Sequence, residues 1–209
     1  MQVDKDQFAA QFNVSRETLA LLEQYETLLE KWNPKINLVS KATLSDIWHR
    51  HFADSAQLWD LIPEKQKSWL DFGSGAGFPA LVIAVLAKEK QPDLEVHLVE
   101  SDHRKCAFLL TVIRALALKA TVSSVRIEAL PPKEVDIISA RALAPLESLL
   151  EMSFPHAHKS TVLLFPKGNN YETELTAAQK HWHIDVETVP SITDSGSVIL
   201  RIKDFRRVS

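Results

Sequence analysis

Between Trp69 and Phe78 the chain reads Trp-Leu-Asp-Phe-Gly-Ser-Gly-Ala-Gly-Phe, with glycines at 73, 75 and 77. Glycine is needed where a backbone turns sharply, takes positive φ or comes within van der Waals distance of a ligand. Three of the chain's five glycines occupy these five positions, so the cluster reads as a cofactor loop. An apolar strand leads into it and an apolar helix leads out. In an open α/β sheet that turn is where a nucleotide-like ligand sits. A dinucleotide fingerprint places its third glycine three residues after the second. Here that position is Phe78, while Gly77 follows Gly75 by two, which weakens a nicotinamide-dependent oxidoreductase reading.

The elements that must position this loop follow from hydrophobic periodicity. From residue 68 the chain alternates strand and helix: strand 69–72, helix 77–89, strand 95–100, helix 103–117, strands 121–127 and 134–139, helix 145–153, strand 160–166 and helix 171–181. Such alternation predicts a mostly parallel sheet covered by helices on both faces. His183 to Pro190 and Ser197 to Lys203 then read as an antiparallel C-terminal hairpin. Residues 1–66 read as an N-terminal helical cap on a Rossmann-like unit over 67–209. Ser15 caps a helix that presents Leu19, Leu22, Leu29 and Trp32 on one face and stops at Pro34. Thr43-Leu44-Ser45-Asp46 resembles a capping box opening a second helix through Trp48, Phe52 and Leu58.

Composition narrows the class. A hydrophobic fraction of 45% and a charged fraction of 24% are those of an ordinary globular protein. A net charge of −3 makes any nucleic-acid contact a matter of local basic patches. The longest apolar run, Pro79 to Ala87, is far short of a bilayer span of about 20 residues. The start, Met1-Gln2-Val3-Asp4-Lys5-Asp6, lacks a signal-peptide pattern, and a cytoplasmic location is expected. The lone Cys106 makes no internal disulfide and sits in an apolar stretch, as a buried small hydrophobe would. No Cys/His spacing suggests a metal.

Several further residues stand where such a sheet presents its ligand edge. Glu100 ends the second strand, where a carboxylate suits two ribose hydroxyls; a solvated strand-end charge is the plain alternative. Phe78 is either a wall of the cofactor cavity or an ordinary core residue. Ile127 and Glu128 end the third strand, where they can meet an adenine, Glu128 having a structural ion pair as its alternative. Arg141 follows the fourth strand, where a guanidinium orients a base, a phosphate or a carboxylate, or forms a structural ion pair. Lys167, before Gly168, offers an ammonium to phosphate or to solvent. Arg50, His51 and Asp54 share a helix, with Arg50 and Asp54 one turn apart; the group contacts substrate or simply forms a helix-stabilising pair.

Asp71, the Gly-x-Gly-x-Gly loop and Glu100 resemble the arrangement of Rossmann-like class I S-adenosylmethionine-dependent methyltransferases. Further segments narrow the likeness: Lys31-Trp32-Asn33-Pro34-Lys35-Ile36-Asn37-Leu38, Arg50-His51-Phe52-Ala53-Asp54-Ser55, Arg126-Ile127-Glu128, Ser139-Ala140-Arg141-Ala142 and Lys167-Gly168. Over nearly the whole chain the sequence resembles the RsmG family, formerly glucose-inhibited division protein B, of small-subunit ribosomal RNA guanine-N7 methyltransferases. Ala76 stands where that family commonly has proline. The resemblance implies S-adenosylmethionine as cofactor, held at Gly73, Phe78, Ile127, Glu128 and Arg141, and 16S ribosomal RNA in the small subunit as substrate. Guanine N7 carries a free lone pair, so such a transfer needs no general base and no indispensable catalytic His or Cys. A non-catalytic RNA-binding or ribosome-assembly module that keeps a cofactor pocket is the alternative of another class.

Overall fold

A computed structural model describes residues 3–208, so Met1, Gln2 and Ser209 lie outside it, including the start of the stretch read for a signal. Helix α1 (Lys5–Phe12) opens on a capping box between Asp4 and Gln7. Helix α2 (Arg16–Ile36) opens on Ser15, whose hydroxyl accepts from the Thr18 N–H, and buries Leu22, Tyr25 and Leu29. Pro34 does not end it. Proline there removes one donor in the last turn, and the helix runs two residues on to Asn37, which takes a left-handed φ of 50°. A short helix, α3 (Lys41–Leu44), starts at Ser40 rather than at Thr43, because the Ser40 hydroxyl accepts from the Thr43 N–H and caps it. A π-helical turn over Trp48–Ala53, the short α4 (Asp54–Ala56) and a 3-10 turn over Trp59–Leu61 complete the region before the sheet.

The sheet follows with β1 (Ser68–Phe72), α5 (Ala80–Lys90), β2 (Glu95–Val99), α6 (His103–Ala115), β3 (Ala120–Ser123) and β4 (Val135–Ala140). After these come α7 (Leu146–Ser153), β5 (Ala157–Lys167), α8 (Tyr171–Ala178), β6 (Trp182–Pro190) and β7 (Val198–Arg207). The seven strands lie in the order β3-β2-β1-β4-β5-β7-β6. Strands β1 to β5 pair in parallel, and β7 runs antiparallel to both β5 and β6. Gly77 and Phe78 fall in the turn before α5, not within the helix. β3 is shorter than the sequence suggests: it ends at Ser123, and Ile127 and Glu128 stand in a separate 3-10 turn, Ile127–Ala129.

Strand order reverses between β1 and β4, the place where doubly wound sheets bind ligands. Side chains alternate across β1, so Trp69 joins one core with the cap, α5 and α6, while Leu70 and Phe72 join the other with α7 and α8. Helix α5 is buried from Ala80 to Ala87, as expected of a helix sandwiched between sheet and cap. Burial of Leu22, Tyr25 and Leu29 in the same core as Leu81 and Val85 fixes the cap against the loop end of the sheet.

Candidate cofactor and acceptor site

All three loop glycines have positive φ: 61° at Gly73, 56° at Gly75 and 95° at Gly77. Their surroundings differ. A Cβ on Gly77 would collide with Leu81 and with the Tyr25 hydroxyl, and one on Gly73 would lie 2.6 Å from a Leu143 methyl. On Gly75 it would meet nothing closer than the Gly73 carbonyl at 3.7 Å, which leaves the space a ligand needs. The loop is pinned from three sides. The Ser74 N–H donates to the Val99 carbonyl, the Gly75 N–H to Glu100 Oε2 at 2.9 Å, and the Tyr25 hydroxyl to the Ala76 carbonyl at 2.5 Å. Glu100 is buried, and its other oxygen accepts from the Asp102 N–H at 2.8 Å. It is therefore not a freely solvated strand-end charge; it braces the glycine loop.

Beneath the loop, Asp71 is fully buried. Its Oδ1 accepts from the Ser139 hydroxyl at 2.5 Å, and that hydroxyl accepts from Trp69 Nε1 at 2.7 Å. Its Oδ2 is buried and has no hydrogen-bond partner among the described residues. Burial pushes the carboxyl up to about 7, against smaller opposing pulls from the Ser139 and Ser74 hydroxyls and then from Arg141. An orphaned carboxylate oxygen under a cradle of glycine backbone fits a cationic ligand, and the ammonium of S-adenosylmethionine is such a group.

Phe78 lies buried between two rings, His51 at 4.7 Å and Tyr25 at 5.4 Å, both stacked, with the Arg141 guanidinium 5.2 Å from its centroid. It thus joins cap to loop. Arg141 donates to Asp54 Oδ2 at 2.9 Å, to His51 Nδ1 at 3.0 Å and toward the Arg50 carbonyl at 3.5 Å. Burial first, then the charges of Arg141 and Arg50, hold His51 down at about 3, so it is neutral with its proton on Nε2. Asp54 Oδ1 accepts from the Thr193 hydroxyl at 2.8 Å and from Gln57 at 3.0 Å, tying the β6–β7 turn to the cap.

Arg50 and Asp54 do not pair. The i,i+4 rule assumes 3.6 residues per turn, and the wider π turn redirects both side chains: Arg50 lies 3.9 Å from Asp194, and Asp54 takes Arg141. Lys167 is held within the wall of the site rather than solvated. Its ammonium donates to the Ala144 carbonyl at 2.8 Å and to Glu174 at 2.7 Å, which uses two of its three donors. A cavity of about 620 Å³ opens at the ends of β4 and β5, walled by Arg50, His51, Arg141, Lys167 and Glu174 among others. Leu143 separates it from Gly73. Ile127 and Glu128 line a different groove, with Leu130 and Met152. Glu128 forms no ion pair there among the described residues. Nothing local in the sequence marks Tyr25, Thr193 or Glu174 as site residues, since each acts through a partner at least seven positions away.

Among the described residues, no group of His, Cys, Asp or Glu is placed to hold a metal ion, and no helix is long and apolar enough to cross a membrane. A glycine loop at the strand-order switch, an acidic residue under it and another just after β2 define the class: the fold is that of Rossmann-like S-adenosylmethionine-dependent methyltransferases. Solved structures agree. A SAM-dependent methyltransferase from Aquifex aeolicus superposes at a TM-score of 0.57 with 16% identity, covering 85% of this chain and 98% of that one. MtNAS in complex with S-adenosylmethionine superposes at 0.57 with 13% identity, covering 97% and 84%. The family described as rRNA small subunit methyltransferase G matches residues 18–200. The ribosomal RNA small subunit methyltransferase G of Cereibacter sphaeroides (strain ATCC 17025) is 49% identical over 208 residues, covering both chains in full. The chain belongs to this methyltransferase family, and a non-catalytic assembly module is not favoured.

Proposed function

We propose that this enzyme transfers the methyl group of S-adenosylmethionine to N7 of a guanine in 16S ribosomal RNA of the small subunit, in the cytoplasm, with residues 67–209 carrying the transfer and residues 1–66 capping the site. The family assignment, together with the orphaned Asp71 oxygen under the glycine loop, is what carries this reading. The cofactor, when bound, supplies a methyl on a positively charged sulfur. Asp71 accepts the ammonium of its methionine part, and the backbone of Gly73, Gly75 and Gly77 lines the approach. Glu100, just after β2, would offer its carboxylate to the ribose hydroxyls. Ile127 and Glu128 bound the adenine side. Arg141, fixed by Asp54 and His51, turns its remaining donors to the methionine carboxylate or the incoming base.

N7 has no proton to lose, so the residues need only align the base and exclude water. His51, kept neutral, neither gives nor takes a proton; with Arg50 it borders the acceptor cavity. The test is incubation with labelled S-adenosylmethionine and small subunits that lack the modification, followed by nucleoside analysis. Label in 7-methylguanosine is expected. Unlabelled RNA alongside measurable cofactor binding would refute the reading.

A further inference from the structure

Lys167 and Glu174 stand in the wall of the 620 Å³ cavity, their side chains only 9% and 29% exposed. An ammonium has three donors, and two of those on Lys167 are taken, by the Ala144 carbonyl and by Glu174 Oε2. Oε2 also accepts from the Leu146 N–H at 2.7 Å, whereas Oε1 accepts no hydrogen bond among the described residues. The pair, joined at 2.7 Å, therefore holds one donor and one acceptor that the described residues do not use.

We propose that this pair selects the base: Lys167 donates to guanine O6, and Glu174 Oε1 accepts from N1–H and the N2 amino group. The inference rests on the methyl-transfer reading above and adds to it the groups that recognise the acceptor. Guanine presents O6 as acceptor beside N1–H as donor. Adenine presents the inverse, an amino donor beside a bare N1, which would set donor against ammonium and lone pair against carboxylate. A half-buried charged pair left unmatched costs more than the same mismatch in water, so selection is strong. A base taken out of its stack is read along this edge. N1 and the N2 amino group lie across the purine from N7, so a grip there leaves N7 unobstructed. Leu143 lines the cavity and packs against Gly73, so the cavity adjoins the glycine loop across that one side chain.

The experiment uses the full chain saturated with S-adenosylhomocysteine and measures binding of GMP, IMP and AMP by NMR titration. GMP is expected to bind at least about tenfold more tightly than AMP, with IMP, which lacks the N2 amino group, between them. In E174Q the preference for GMP over AMP should fall to about threefold or less while S-adenosylhomocysteine affinity stays unchanged. Equal binding of GMP and AMP by the unaltered chain, no GMP binding at about 10 mM, or a preference retained in E174Q would each overturn the proposal. If E174Q fails to fold, the ratio measured on the unaltered chain decides. Because no turnover is involved, a chain that selects GMP yet labels no ribosomal RNA would remove the proposed reaction and leave the pocket standing.

Discussion

Replacing Asp71 with asparagine should stabilise the ligand-free protein at alkaline pH. The carboxyl titrates at about 7 in the fold against an ordinary value of 3.8, because burial disfavours its charge. At about 1.4 kcal/mol per pH unit, holding it ionised at pH 8 costs about 4 kcal/mol. A folded pKa raised above the unfolded one contributes stability that is fully present below about pH 4 and lost as pH rises to about 7. The asparagine would carry no charge, and its oxygen can still accept from Ser139. Its amide would sit where Oδ2 now lies unpartnered, a buried donor costing about 1–3 kcal/mol. The net gain at pH 8 is about 1–3 kcal/mol, or roughly 2–12 °C in Tm for a chain of this size. Near pH 4, where Asp71 is protonated and the charge cost is gone, only the amide's cost remains and the variant should melt below the wild type by about 1–3 kcal/mol of stability. The same variant should lose most of the stabilisation that S-adenosylhomocysteine gives, since a ligand protects only through binding to the fold. Melting by circular dichroism at pH 4 and pH 8, with and without ligand, reads both effects. An Asp71→Asn protein that melts below the wild type at pH 8 would refute this account of the carboxyl.

Three further outcomes follow from the site. Cofactor binding should release protons below about pH 7, because a cation beside Asp71 favours its ionised form, and affinity should fall with acidification; calorimetry in two buffers of different ionisation enthalpy measures the release, and a proton count of zero at pH 6 would contradict it. Gly75→Val should abolish S-adenosylhomocysteine binding while Gly77→Ala mainly destabilises the fold, since only the latter's Cβ meets buried Leu81 and Tyr25; unchanged affinity in the first variant would move the cofactor elsewhere. Tyr25→Phe should cost about 1–3 kcal/mol by leaving the Ala76 carbonyl unpaired, and should weaken cofactor affinity by loosening the loop; urea unfolding equal to wild type would argue against that hydrogen bond.

The sequence alone determined the parts of this protein that depend on local pattern. Alternating strand and helix periodicities, with glycines after the first strand, dictate a mostly parallel sheet and the position of its ligand loop, because side-chain period and backbone freedom are properties of short segments. Boundaries proved less legible where two local signals compete: Pro34 reads as a stop, yet the left-handed Asn37 ends the helix, and the short β3 hands Ile127 and Glu128 to a separate turn. Only the tertiary structure decided what each charged group does. The π turn at Trp48–Ala53 sends Asp54 to Arg141 and Thr193, partners 87 and 139 residues away, instead of to Arg50. Glu100 braces the loop, Lys167 is claimed by Glu174, and Asp71 keeps one oxygen unpaired. Hydrogen bonds and desolvation depend on which groups the folded chain excludes from water together, and residues distant in sequence carry no mark of that meeting.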